Sequence, residues 1–183
     1  YFNARIEILL KTNQAEKAID ILEKILDKDP DNTDILYHLA LIYQRQERQA
    51  ESERVLRHIL DVNPDDAFAS NGLGYYYAEK GIKLVEARRL IENAYRQKPL
   101  DWQMLDSMAW LCFREGRNEQ AYYFALAAMR SGFHRVVIVH MLDILVALGR
   151  QDEAQSVFNE LSRRLPNDPK IIELGKRLKL LQQ

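Results

Sequence analysis

Four histidines, His38, His58, His134 and His140, and one cysteine, Cys112, are the side chains best suited to hold a metal or act as a nucleophile. Their spacing suits neither task. No His-Glu-x-x-His occurs, and no cysteine or carboxylate cluster completes a zinc set. His134 and His140 stand six apart across a turn into a helix, which points to an interface or surface role. Cys112 lies on an apolar helical stripe, where a thiol is an inert small hydrophobe. Gly72 and Gly74 read as helix packing, not as a phosphate loop, and no Gly-x-Ser-x-Gly is present. The sequence therefore predicts no catalytic residue, no metal and no cofactor.

The aromatic side chains offer more. Asn71 to Gly81 reads NGLGYYYAEKG, with three tyrosines in a row. On a helix each successive ring turns by about 100°. Tyr77 shares a stripe with Ser70, Leu73 and Gly74 and is predicted to be core. Tyr76 is predicted to pack toward a neighbouring repeat. Tyr75 falls on a third stripe with Phe68, Asn71, Ala78 and Glu79.

The elements that position these rings follow from a period. Pro30, Pro64, Pro99 and Pro166 are spaced by 34, 35 and 67 residues, the last gap being two periods with one proline missing. The small residues Ala18, Ser52, Ala87, Ala121 and Ala154 keep the same register, at spacings of 34, 35, 34 and 33. Each period holds two amphipathic helices; Leu36, Leu39, Ala40 and Tyr43 line one face of one of them. Proline closes the period, and the aspartate after it, as in Asn63-Pro64-Asp65, is placed to cap the next helix. Gly81, Gly116 and Gly149 fall at the turn inside their repeats. Asp168 and Pro169 open a last helix. The stretch FHRVVIVHML is rich in β-branched residues and alone could be a strand. Repeat register makes it a helix.

A 34-residue helix–turn–helix unit of this kind resembles the tetratricopeptide repeat. LGYYYAEKG…EARRLIENAYRQKP carries the family's Leu-Gly-x-x-Tyr, turn glycine, small residue, large apolar residue, alanine and proline in order. DSMAWLCFREGRNEQA carries the next copy, with Cys112 in place of the tyrosine. The resemblance implies an all-α, right-handed α-solenoid of about five helix–turn–helix units plus a C-terminal capping helix. The units run over about 1–32, 33–66, 67–101, 102–134 and 135–168, with the cap at 169–183, as one array. Arg5 and Ile6 replace the usual leucine and small residue, so the first helix is expected to be short or loosely packed. Leu142 stands where Ala40, Gly74 and Ala109 are small, which implies a wider spacing or a rotated helix there.

In this family the stripe of Tyr75 lines the concave wall, the usual binding surface. The resemblance therefore assigns partner binding to Tyr37, Arg45, Phe68, Asn71, Tyr75, Asp106, Trp110, Phe113 and Arg114. Asn3, Glu7, Leu10 and Lys11 hold the same stripe in the first repeat. Aromatics flanked by arginine make binding hot spots, although inner-wall rings also serve to pack neighbouring helices. Val136, Val139 and Val146 would give the fifth repeat an apolar inner face, read as a homodimer or partner contact or as a face covered by an adjoining segment. Some family members clamp the acidic C-termini of chaperones with inner-wall lysine, asparagine and arginine. Asn3, Glu7, His38, Gln103 and Ser107 stand at those positions, so that clamp is not expected.

Charge narrows the partner class. Lys and Arg total 26 against 27 for Asp and Glu, a net charge of −1, which opposes nucleic-acid binding. No run of apolar residues is long enough to insert in a membrane. A single cysteine allows no internal disulfide. The chain opens at Tyr1 already in a helical pattern and reads as a fragment or processed form, so a missing export signal says little about location.

The expected function is a non-enzymatic scaffold or adaptor that holds a partner's peptide or helix. The repeats NGLGYYYAEKG, LDSMAWLCFREGR and LVALGRQDEA are similar to those of bacterial outer-membrane lipoproteins. Those proteins serve as protease adaptors or in secretion and polysaccharide-export assemblies, which would place this one in the periplasm. The alternative is a substrate-recruiting arm of a larger enzyme whose active site lies outside these residues.

Overall fold

The computed structural model describes residues 2–180, with side chains from residue 4 onward. The described residues form eleven helices and no strand: α1 Phe2–Lys11, α2 Ala15–Leu26, α3 Thr33–Arg45, α4 Gln49–Val62, α5 Ala67–Lys80, α6 Leu84–Gln97, α7 Trp102–Arg114, α8 Asn118–Met129, α9 Arg135–Ala147, α10 Gln151–Arg164 and α11 Pro169–Arg177. FHRVVIVHML thus opens α9, a helix despite its β-branched content. The side chain of Asn3 and the last three residues expected in the cap lie outside the described residues.

The chain divides into two compact units, one ending at Leu73 and the other beginning at Gly74. The division falls within α5, not in a loop.

Turn chemistry repeats five times. Asn13, Glu47, Gly81, Gly116 and Gly149 all take left-handed backbone, with φ of 57°, 58°, 67°, 75° and 72°. The N–H of the next residue donates five residues back, from Gln14, Arg48, Ile82, Arg117 and Arg150 to the carbonyls of Leu9, Tyr43, Tyr77, Cys112 and Leu145, at 2.8–3.0 Å. This closure satisfies carbonyls that a helix end would otherwise leave open. Between repeats, side chains cap the next helix. Asn32 accepts from Ile35 N–H at 3.1 Å, Asp101 from Gln103 at 2.8 Å and Asp168 from Lys170 at 2.9 Å. At Asn63-Pro64-Asp65-Asp66 the cap is Asp66, which accepts from Ala69 N–H at 2.8 Å. Asp65 donates its own N–H to Asn63 instead. The cap sits one residue later than the repeat pattern suggests, because the turn spends a residue on that bond.

The small-residue register lies in the core. Ala18, Ala87, Ala121 and Ala154 are fully buried and Ser52 nearly so. Ser52 is tolerated there because its hydroxyl donates to the Ala40 carbonyl at 3.3 Å. A Cβ on Gly74 would come within 2.7 Å of Ile91 Cγ1 and 3.1 Å of the Ala87 carbonyl oxygen, so the close approach of α5 and α6 requires glycine. Gly72 carries no such requirement; a Cβ there would make ordinary contact with Leu56.

Polar side chains about one repeat apart meet within each compact unit. In the first, Arg48 reaches Glu16 at 3.2 Å and His58 reaches Asp31 at 2.7 Å. In the second, Arg150 reaches Glu119 at 2.9 Å, Arg135 reaches Asp168 at 3.0 Å, and Arg177 holds both Asp143 oxygens at 2.5 and 3.1 Å. Arg88 also pairs with Glu115. Most of these are exposed and each adds little stability.

Candidate partner-binding faces

In the first compact unit, Asp34, Tyr37, His38, Leu41 and Arg45 follow one another along a single face of α3 at helical spacing. The Tyr37 ring lies 6.0 Å from the Phe68 ring at the start of α5, tilted by 54°. The two rings, with Asn32, Thr33, Asp34, Ile35, His38, Ile59 and Asp66, line a cleft of about 520 Å³. Tyr37, His38 and Phe68 are half-buried, while Asp34 and Arg45 are exposed. Asn71 is half-buried too, and its Oδ1 has no hydrogen-bond partner among the described residues. The sequence therefore brings Tyr37 and Phe68 together and leaves Arg45 at the far end of the same helical face.

The second compact unit treats its candidate binding residues differently. Asp106, expected to face a partner, is 4% exposed, and His140, expected at the surface, is 5% exposed. Both expectations are corrected by one contact: His140 Nδ1 lies 2.9 Å from Asp106 Oδ1. A carboxylate only accepts, so Nδ1 carries the hydrogen. Nε2 lies 3.3 Å from the Tyr75 hydroxyl, which donates to it when the ring is neutral. The Trp110 ring stacks on the imidazole with centroids 4.2 Å apart, and Phe113 stacks on Trp110 at 5.1 Å. Tyr75 and Asp106 thus commit their polar atoms to His140. Burial, then the charges of Glu79 and Asp106, push the Tyr75 phenol far above its ordinary range.

Trp110 and Phe113 keep half-exposed edges, and Arg114 is exposed. Arg114 donates to the Glu79 carbonyl at 2.9 Å, the end of α5 one repeat earlier. Its guanidinium also lies 6.0 Å from the Trp110 ring. Tyr77 is fully buried, as its stripe predicts, and Lys83 caps its ring at 4.6 Å. Tyr76 is half-buried with its ring 5.7 Å from that of Tyr77. Of the three α9 valines expected on an apolar inner face, only Val136 is exposed, at 38%; Val139 and Val146 pack onto the core. Cys112 is fully buried, and burial raises its thiol above the usual range, which keeps it unreactive.

Sequence reading missed His140. The signal was a carboxylate and an imidazole 34 residues apart, one repeat length, the same separation as Asp143 and Arg177.

A family model described as tetratricopeptide repeat matches residues 9–71. A tetratricopeptide-repeat-containing protein of Pseudomonas aeruginosa is 31% identical over 135 residues, covering 74% of this chain and 23% of that protein. The chain belongs to the tetratricopeptide repeat family. Its fold is that of a thermophilic tetratricopeptide repeat protein from Thermus thermophilus, with a TM-score of 0.79 at 15% identity over 97% of each chain. PilF of Pseudomonas aeruginosa superposes with a TM-score of 0.72 at 20% identity, covering 97% of this chain and 82% of that one. This tetratricopeptide repeat chain spans about a fifth of the length of the curated relatives it matches. Among the described residues no group of histidine, cysteine and carboxylate side chains could hold a metal, and no helix is long and apolar enough to cross a membrane.

Proposed function

We propose that this tetratricopeptide repeat chain is a non-enzymatic scaffold that binds a protein segment along the α3 face of its first compact unit. The observation that carries this reading is the cleft walled by Tyr37 and Phe68. It joins two half-exposed rings to polar side chains, and aromatic side chains with room beside them are what binding hot spots use. Arg45 extends the face and meets an acidic group of the same partner. In the second unit Trp110, Phe113 and Arg114 offer the accessible edges, while Tyr75 and Asp106 shape that face from beneath through His140. The likeness of the repeat sequences to those of bacterial outer-membrane lipoproteins supports a place in a bacterial envelope assembly, as a protease adaptor or a secretion or polysaccharide-export component.

The test is capture of a partner from lysate of the source cells by wild type and by Tyr37→Ala/Phe68→Ala, the variant shown folded by circular dichroism. A partner held by wild type and lost by the variant supports the reading. A partner held equally by both refutes it.

A further inference from the structure

One junction between repeats departs from the others. Phe133 stands twelve residues after Ala121, the spacing that sets Pro30 after Ala18, Pro64 after Ser52, Pro99 after Ala87 and Pro166 after Ala154. A phenylalanine thus replaces the closing proline. The helix that follows also lacks the side-chain cap of its counterparts: His134, at the start of α9, makes no cap hydrogen bond and stacks on Trp102 at 3.9 Å. Phe133 is left 42% exposed. Beside it opens a cleft of about 470 Å³, wholly within the second compact unit. Met129, Ile138, Val157 and Leu161 give it an apolar lining. Its α10 wall runs from Ser156 through Glu160 to Arg164 at helical spacing, two turns or roughly 12 Å. The Arg164 guanidinium already lies over the Phe133 ring, 4.8 Å from its centroid, so the ring is a wall of the cleft and not a cation site. Both Glu160 oxygens are taken, one by Arg164 Nε and one by Arg163 Nη1, each at 2.7 Å. Two guanidinium groups share one carboxylate, and that end of the cleft carries a net positive charge.

We infer that this cleft takes a short amphipathic helix of a partner protein, with its apolar face on the lining and an acidic side chain at the Arg164 end. Two turns of such a helix match the length of the α10 wall, and apolar side chains at i and i+4 fall on one face of it. Charge sets the direction. A carboxylate of the partner meets the guanidinium charge that Glu160 leaves unbalanced. A plain alkyl tail fits less well, because it would lay carbon against the Ser156 hydroxyl and the Glu160 carboxylate. The site does not depend on the α3 face of the first unit.

The experiment is selection of a displayed random peptide library on the full chain, followed by fluorescence anisotropy of the selected peptides against wild type, Ser156→Trp, Arg164→Glu and Tyr37→Ala/Phe68→Ala. Ser156 and Arg164 are exposed, so the first variant fills the cleft and the second reverses its charge without disturbing the core. The expected result is a set of amphipathic peptides that carry an acidic residue. Their binding is lost in Ser156→Trp, falls roughly tenfold or more in Arg164→Glu, weakens with added salt, and is unchanged in Tyr37→Ala/Phe68→Ala. Peptides lost in Ser156→Trp but indifferent to Arg164→Glu would overturn the acidic assignment. Peptides lost only in Tyr37→Ala/Phe68→Ala would overturn this site and support the α3 face. No enrichment, with dodecanoate bound by wild type and not by Ser156→Trp, would overturn the partner helix in favour of a lipid-like ligand. No enrichment and no dodecanoate binding would overturn the site altogether.

Discussion

The residue that organises the second compact unit is His140. It joins two other helices: Asp106 and Trp110 from α7 and Tyr75 from α5. Replacing it with leucine leaves the Asp106 carboxylate buried without a partner, a loss of about 3 kcal/mol. Adding Asp106→Leu removes that orphaned charge and should recover about 1 kcal/mol or more. Urea unfolding of the two single variants and the double variant measures both. The repeat pattern hid this contact. It assigns each residue by its place within one helix, whereas the imidazole is buried by side chains one and two repeats away.

Phenols show the same burial through pH. Burial and the hydrogen bond to Glu23 raise Tyr43 above its ordinary range, and burial chiefly raises Tyr75. In the unfolded chain both ionise near ~10. Their contribution to stability is therefore fully present below that pH and is lost as pH rises toward the folded values. The melting temperature should fall steeply above pH ~10. Tyr43→Phe should melt lower at neutral pH, for lack of its bond to Glu23, but fall less steeply in alkali.

At the scale of the element, the helix pairs were legible because the period fixes them. Ala18, Ser52, Ala87, Ala121 and Ala154 sit at one register, and every one is buried. Gly81, Gly116 and Gly149 announced their turns. Asn13 and Glu47 did not, since neither residue advertises left-handed backbone as glycine does, yet both adopt it with the same closing bond. Glu47 pays for its Cβ there. Glu47→Gly should raise stability by about 0.5–1 kcal/mol, and Gly116→Ala should lower it by about 1 kcal/mol although nothing lies within 4 Å of its new methyl. Thermal melts of the two variants are expected to move in opposite directions.

For the molecule as a whole, composition and periodicity settled the class: all-helical repeats, near-neutral charge and no metal-ligand spacing. They assigned the candidate binding residues to helices but could not say which remain accessible. That depends on what the facing repeat supplies. Asp34, Tyr37 and Phe68 border a cleft, while Asp106, at the stripe position of Asn71 one repeat on, is sealed under His140. The break at Leu73–Gly74 was also illegible, because it falls inside a helix that the period treats as continuous.

The most direct test of the scaffold reading is hydrogen exchange by mass spectrometry of the full chain, alone and with the captured partner. The account predicts slowed exchange in α3 and the first turns of α5, abolished by Tyr37→Ala/Phe68→Ala. Protection confined to other helices, with α3 unchanged, would contradict it.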